Sequence, residues 1–338
     1  MALFDDAGLI PAAQISRPNQ KDSTGSIEAL VLAEYGGQVE GTIERRSIMN
    51  GWVPMKSVRG TNTVTNYAVG EATLQKLVVG TPPDGSPTDL GSNSVKVDTV
   101  VLARTIVPLL EEFQSKIDVR MEMGTEHGKK IAKFFDESFL IQGAKAATST
   151  NSAFSSTAGK PAGHYGGTVK TLADTASSKD PAKLYSAIRN LFTDMEAKDV
   201  SPRDDDIALF FRPEQFYALQ DAEQIVNGNY ITSAGNRLND VAIFKAFGVP
   251  VFSTNNLPKT NITGHFLSNA GNSNAYDGDF TKLVGLAMSA KALLAGETIP
   301  LQHKVWFNDE YKVHFVDSWL SYGVTKNRCE YAGALYIA

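Results

Sequence analysis

Two alternating runs joined by a turn-rich centre fill residues 60–102, and no helical period survives anywhere between them. Thr63, Thr65, Tyr67 and Val69 alternate with Val64, Asn66 and Ala68. Beyond a turn-rich stretch at residues 80–94, Val95, Val97, Thr99 and Val101 alternate with Lys96, Asp98 and Val100. Successive side chains of a strand point to opposite faces, so a sustained period of two predicts a long hairpin. Neither face is apolar enough to make a core alone. A two-stranded ribbon is marginal in water unless a third element covers it, so the cover must come from elsewhere in the chain or from another chain. The feature points to a protein that assembles.

At 338 residues and 42% hydrophobic, the chain can bury a substantial core as one large domain or as two or three lobes. Its 32 Lys and Arg stand against 37 Asp and Glu, a formal net charge of -5. Such a surface has no cationic excess to release phosphate counterions, which argues against tight nucleic-acid binding by the whole surface. The single cysteine, Cys329, cannot close an internal disulfide or build a multi-cysteine metal site. That usage fits a reducing compartment, and the residue reads as a small buried side chain near the last strand. At the N-terminus Asp5 and Asp6 stand where a secretory leader would be cationic. The longest apolar runs, such as residues 207–211, fall far below the ~20 residues of a membrane span. The expectation is a soluble protein made in the cytoplasm, with no membrane partner.

Along the chain, residues 1–25 are polar and contain proline, as a free or draped arm would. Ile27, Leu30 and Val31 begin a helical pattern broken at Gly36 and Gly37, and Val39 and Ile43 continue it to about Arg46. After the hairpin, residues 105–113 are short and apolar. A long helix is predicted from about Asp118 to Gln142, with Ile131, Phe134, Phe135, Ser138, Phe139 and Gln142 on one stripe and Lys129, Lys130, Lys133, Asp136 and Glu137 mostly off it. Gly124 and Gly128, one turn apart, lower helix propensity but let another backbone approach. Residues 143–179 are rich in Ala, Ser, Thr and Gly and read as a linker, surface insertion or mobile loop. Asp180 and Pro181 open a helix with Leu184, Ile188, Leu191 and Met195 on one face. A buried strand at 207–211, a short helix at 213–219 and a strand at 249–253 complete an α/β lobe. Residues 283–288, the alternation of Tyr311, Val313 and Phe315, and residues 330–338 read as antiparallel strands of a sheet that packs on the long helix.

Motifs that would carry chemistry fail on spacing. Gly124-Thr-Glu-His-Gly128-Lys129 has three residues between its glycines where a phosphate loop needs four, and it lies inside a helix. Asn272, Asn274, Asp277 and Asp279 have calcium-loop composition, but Gly278 falls one place late and Leu283 takes the position of the bidentate Glu. His127, His164, His265, His303 and His314 show no paired spacing for zinc. No nucleophile elbow is present. Asn261-Ile-Thr263 matches a glycosylation triplet only by chance in a chain without an export signal. Asp204, Asp205 and Asp206 could serve a divalent metal, but directly before a buried strand such a run reads as a solvated turn. No catalytic, cofactor-binding or metal site is assigned, and no cofactor is expected.

The order of parts, arm, broken helix, long hairpin, spine helix, α/β lobe and returning strands, resembles the major capsid proteins of tailed phages with the HK-97-like fold, in particular the T-seven-like podovirus branch. Four stretches carry the resemblance. Glu28-Ala-Leu-Val-Leu-Ala-Glu-Tyr-Gly-Gly-Gln-Val-Glu40 is similar to the family's N-arm helix with its aromatic-Gly-Gly break. Lys96-Val97-Asp98-Thr99 through Ile117-Asp118-Val119-Arg120 is similar to the second hairpin strand leading into the spine. Phe244-Lys-Ala-Phe-Gly248-Val-Pro-Val-Phe252 is similar to a late strand of the axial lobe, and Asn327-Arg-Cys-Glu-Tyr-Ala-Gly-Ala334 to the family's Arg-Pro-Glu-Ala-Ala-Gly ending. The short arm and residues 143–179 depart from the pattern.

The resemblance implies an α+β subunit with an N-terminal arm (1–50), an extended hairpin loop (51–102), a peripheral lobe with the spine helix and long strands (103–180 and 280–338, including the Ser/Thr/Gly-rich insertion 143–179) and an axial lobe (181–279). It implies a protein that is not an enzyme, assembled in the host cytoplasm into the virion capsid. Hexamers and pentamers of one chain would enclose double-stranded DNA without sequence-specific binding. The implied partners are other copies of the chain, a portal protein, a decoration protein and a separate scaffolding protein, the last because too little chain precedes the first helix to form a fused scaffold. In cross-linking relatives a hairpin-tip Lys meets an Asn beside an activating Glu. Here the tip at 80–94 has no lysine, Lys76 and Lys96 flank it on strand positions, and Asn327 and Glu330 could supply the other two groups. Two alternatives stay open: a nanocompartment shell of the encapsulin type, and a metal-dependent α/β enzyme using Asp204, Asp205 and Asp206.

Overall fold

The computed structural model describes residues 47–77, 79–80, 85, 88–109, 119–154, 161, 163–221 and 245–338. The expected arm and broken first helix, with the stretch from Glu28 to Glu40, lie outside the described residues. In chain order the described elements are β1 (Met55–Ser57), β2 (Thr63–Val69), β3 (Leu90–Lys96), β4 (Val101–Pro108), α1 (Val119–Thr148), β5 (Thr168–Leu172), α2 (Pro181–Glu196), β6 (Ala208–Phe211), α3 (Pro213–Gln220), β7 (Lys245–Ala246), β8 (Val249–Ser253), β9 (Asn261–Ile262), β10 (Gly278–Asp279), β11 (Leu283–Met288), β12 (Leu293–Asn308), β13 (Val313–Lys326) and β14 (Ala332–Ile337). Their contacts divide the chain into two compact units. One comprises Met1–Asn50, Val97–Asp136 and Glu297–Tyr322, and the other Gly51–Lys96, Glu137–Gly296 and Gly323–Ala338.

The second, larger unit is built on a sheet of order β5-β14-β11-β6-β8-β7. β11 runs antiparallel to β6 and β14, whereas β6 and β8, and β14 and β5, are parallel pairs. Helix α2 covers one face. The Asp180 carboxylate caps it by accepting from the amides of Ala182 and Lys183 at 3.0 and 3.2 Å, and Pro181 presets the first turn. Its apolar stripe of Leu184, Ile188, Leu191, Phe192 and Met195 packs on Leu209, Phe211, Val251, Val284 and Leu335. Each such side chain contributes about 1.5–3 kcal/mol on burial, which makes this cluster the main core of the unit. The C-terminal part of α1 lies against the same sheet, with Gly143 so close that a methyl group there would fall 2.5 Å from Met288 Sδ.

Two expectations are corrected in this unit. The helix does not stop at Gln142 but runs to Thr148, and residues 143–179 are not a featureless insertion. Within them β5 pairs in register with β14, Gly333 opposite Thr168 through Ile337 opposite Leu172. The small residues that suggested a linker are there for close approach: Cβ atoms at Gly166 and Gly167 would strike the backbone of residues 146–150. The Lys198 ammonium closes the turn on the carbonyls of Gly166 and Gly167 and the Thr168 hydroxyl at 2.7–3.0 Å. Second, β11 and β14 belong with β6 and β8 and not with the strand of Val313 and Phe315. β11 is buried at every position, the mark of a strand covered on both faces.

In the smaller unit β13 pairs antiparallel with β4, from Val313 opposite Pro108 to Leu320 opposite Val101. Strand β12 lies beside β13 on the side away from β4. The long strand β12 escaped the sequence reading because Pro300 interrupts its alternation, a residue that ordinarily demotes a strand. Val107 and Val316 pack with Met123, Leu301 and Val305, and Ile106, Val313 and Phe315 with Trp306 and Tyr311. Asp136, expected off the buried stripe of the helix, is buried. Its carboxylate accepts from the Ser47 hydroxyl at 2.5 Å and from the amides of Ile48 and Met49 at 3.1 Å, so it pins residues 47–49.

Candidate assembly surface

The hairpin forms with a single clean register: Val64 opposite Val95, Asn66 opposite Asn93, Ala68 opposite Gly91, and Val69 opposite Leu90. Gly70 extends the ladder by donating to the Asp89 carbonyl at 2.8 Å. The paired region begins earlier on the return strand than its composition suggests, at Leu90 where a turn was expected through Ser94. It ends at Lys96, so Val97 and Thr99 lie outside the hairpin strands. Gly91, Ser92, Asn93 and Ser94 are weak strand formers, and tertiary contacts override that propensity.

Those contacts select the inner face. Val64 packs into the space a side chain at Gly296 would fill, 2.7 Å from that Cβ position, and Gly91 lies on Pro161 and Phe154. Asn66 donates to Asn327 Oδ1 at 3.0 Å and Asn93 to the Lys326 carbonyl at 2.6 Å. Asn327 in turn donates to the Lys291 carbonyl. At the turn end of the ladder, the buried ring of His164 has Nε2 3.2 Å from the Val69 carbonyl oxygen and Nδ1 3.6 Å from Glu330. Burial pushes the Glu330 carboxyl above its ordinary value, against the opposing effects of its own amide and of His164 and Arg328.

The outer face is left in water. Tyr67 is 74% exposed, with Val69 and its partner Leu90 exposed on the same face, and Leu74, Leu77 and Val79 are exposed in the loop that follows, Leu74 at 96%. These apolar side chains have no intramolecular cover among the described residues, and the ribbon that bears the first three is firmly attached by its other face. An exposed patch of this kind marks contact with another protein.

The residues weighed for chemistry are placed apart. Asp205 accepts from the Ser201 amide and from Lys291, and Asp204 accepts from the Ser201 hydroxyl. The run is therefore a capped turn, and among the described residues no three metal-ligating side chains converge there or elsewhere. Asp277 collects the Ser268 hydroxyl and the amides of Gly264 and His265 at 2.6–2.9 Å, which hold its carboxyl down at about 2 and make the polar stretch a closed loop. Gly124 and Gly128 are buried within α1. His127 bonds Thr105, and His265 stacks on Tyr276, far along the chain from His164, His303 and His314. Asn327 and Glu330 are buried and engaged, whereas Lys76 and Lys96 are exposed. The sequence reading missed the anchoring role of Asn66 and Asn93; two asparagines directly opposite each other on the inner face were its available signal.

The chain is similar to the capsid protein in the capsid of the cyanophage P-SCSP1u, at 19% identity over 86% of this chain and 88% of that one, with a TM-score of 0.73. It is similar also to the protein of the mature capsid of bacteriophage PhiM1, at 21% identity over 96% and 97%, with a TM-score of 0.72. These likenesses fix the HK-97-like fold. No curated protein sequence matches. The family model for Gp10A-like major capsid proteins matches residues 93–301, most of the described hairpin return, spine and sheets, which favours a phage shell over a nanocompartment, and the chain belongs to this family of capsid shell proteins.

Proposed function

We propose that copies of this chain close as hexamers and pentamers into an icosahedral shell around double-stranded DNA, each hairpin lying over a neighbouring copy. The observation that carries this reading is the apolar outer row from Tyr67 to Leu90 on a ribbon already anchored by its inner face. Permanent contacts of this kind bury roughly 2,000 Å² or more per pair. Residues 1–50 would form the arm, 51–102 the extended loop, 181–279 the axial lobe, and 103–180 with 280–338 the peripheral lobe apart from β5, β11 and β14, which share the sheet of the axial strands β6 and β8. The net charge of -5 suits a wall that does not grip its genome. A separate scaffolding protein, a portal and a decoration protein complete the expected partners, with assembly in the host cytoplasm. The role is mechanical, and no reaction is assigned to the chain.

Electron microscopy of the expressed chain tests the reading. Closed shells are expected from the native sequence. The triple variant Tyr67→Ser, Val69→Ser, Leu90→Ser is expected to stay as free subunits with an unchanged circular-dichroism spectrum. Normal shell yield from the variant would overturn the role of the hairpin, and native protein that forms no shells with or without its scaffold would overturn the shell itself.

A further inference from the structure

The turn end of the β2–β3 ladder rests on two buried ionisable side chains with more acceptors than donors between them. His164 is 6% exposed and Glu330 4%. Neither Nδ1 of His164 nor Oε2 of Glu330 has a hydrogen-bond partner among the described residues. A carbonyl only accepts, so the imidazole donates from Nε2 to Val69, and the neutral ring then turns the lone pair of Nδ1 toward the Glu330 carboxyl. Two buried acceptors facing each other at 3.6 Å are unfavourable unless a proton lies between them. With one proton, on the carboxyl or on Nδ1, the contact becomes a charge-assisted or neutral hydrogen bond and the ring is held against Val69.

The surroundings leave this proton to the pair. Arg328, Lys198 and Cys329 interact with the Glu330 charge, Lys326 lies beside Cys329, Glu71 beside Gly163, and Asp89, bonded through its carbonyl to Gly70 next to Val69, buries one carboxylate oxygen. Lys198 is committed to Gly166, Gly167 and Thr168, and Lys326 to the Ser149 hydroxyl. On its remaining side the imidazole meets the Phe154 ring, 5.1 Å between centroids, and Phe154 itself supports Gly91 on the opposite strand of the hairpin. The same histidine therefore touches both strands at their turn end, one directly and one through Phe154.

We propose that His164 and Glu330 form a one-proton latch that docks the turn end of the β2–β3 ladder through Val69, and that loss of this proton frees that end to swing. Burial already favours the protonated carboxyl, so the docked turn end binds the proton more tightly than the released one, and docking weakens as pH rises through the raised range of Glu330. The consequence for assembly rests on the hairpin being the contact between copies; the latch itself does not.

Amide hydrogen exchange on the unassembled full-length chain, followed by mass spectrometry and corrected for intrinsic rates, reads the latch directly. Peptides covering β2 and β3 should lose protection as pH rises from about 5 to about 9, by up to about tenfold per pH unit for a single linked proton, while β6 and β8 stay constant. Glu330→Gln, whose amide donates to Nδ1 without titrating, should keep the hairpin protected and flat with pH. His164→Gln should also be flat. A pH-independent hairpin in the native chain, a dependence that persists in Glu330→Gln, or an equal change in β6 and β8 would each overturn the proposal. Shell yield across the same pH range, scored by microscopy, separates the two ideas: exchange that follows the latch while assembly does not would leave the latch standing and remove the hairpin from the contact between copies.

Discussion

Asp317 lies on β13 with 4% of its surface exposed, yet its two oxygens take three donors. Arg104 on β4 approaches them fork to fork at 2.6 and 2.8 Å, and the Trp306 indole donates at 3.0 Å. The guanidinium also lies over Phe315, which stacks on Trp306 at 4.5 Å between centroids. A bidentate arginine with an aromatic floor is a geometry that lysine cannot reproduce. Removing one partner strands a buried carboxylate, at a cost of about 3 kcal/mol, whereas replacing both with apolar side chains is close to neutral. Arg104→Met is therefore expected to lower stability in urea denaturation by about that amount, and Arg104→Met with Asp317→Leu to recover most of it. Equal losses in the single and double variants would show that packing, and not the charge pair, sets the value.

Among the elements, α2 and the hairpin show how differently one sequence can specify its parts. Helix α2 is fixed locally: a cap at Asp180, proline at the first position and one apolar stripe all agree. Asp180→Ala should cost about 1 kcal/mol and Asp180→Asn much less, measurable as the midpoint shift in thermal unfolding; an Ala variant as stable as the native chain would mean that the stripe alone holds the first turn. The hairpin is not fixed in this way. Its two faces are each half polar, and the inner one is chosen by Gly296, Pro161 and Asn327, which approach from distant parts of the chain. The return strand through Gly91 and Asn93 exists because these partners supply cover and hydrogen bonds that its own residues do not prescribe.

For the whole molecule, the question is what holds one copy to the next. An amide cross-link needs an amine, an amide carbon and a proton acceptor brought together within contact distance. Asn327 is 8% exposed, with its carbonyl oxygen and its amine both bonded inside its own unit, and Glu330 is buried beside His164. Lys96 is exposed at the end of β3, where a charged side chain keeps an edge strand from pairing indiscriminately, whereas Lys76, expected on a strand, is exposed in the loop that follows β2. Shells boiled in detergent under reducing conditions should consequently run as one band near 36.5 kDa. A surviving ladder of larger species would show that Asn327 leaves its pocket on assembly and would point to Lys76 or Lys96 as the amine.

Local pattern alone was enough for every element whose signal is periodic and self-contained: the spine helix, α2 with its cap, the buried strands β6 and β8, and the existence of a hairpin at β2. Their physics lies within one or two turns of chain. The order of those elements also pointed to the capsid fold. Tertiary structure decided the rest. It carried α1 through Gly143 to Thr148, because the small residues that lower helix propensity are the ones that let the sheet approach at Met288. It recruited residues 168–172 as an edge strand parallel to β14 and placed β14 antiparallel to β11, since a neighbour distant in the chain is paired by backbone groups and not by any local period. It chose which face of the hairpin stays in water. Periodicity establishes that a ribbon has two faces; only the groups that arrive from elsewhere in the chain determine which one is left for another copy.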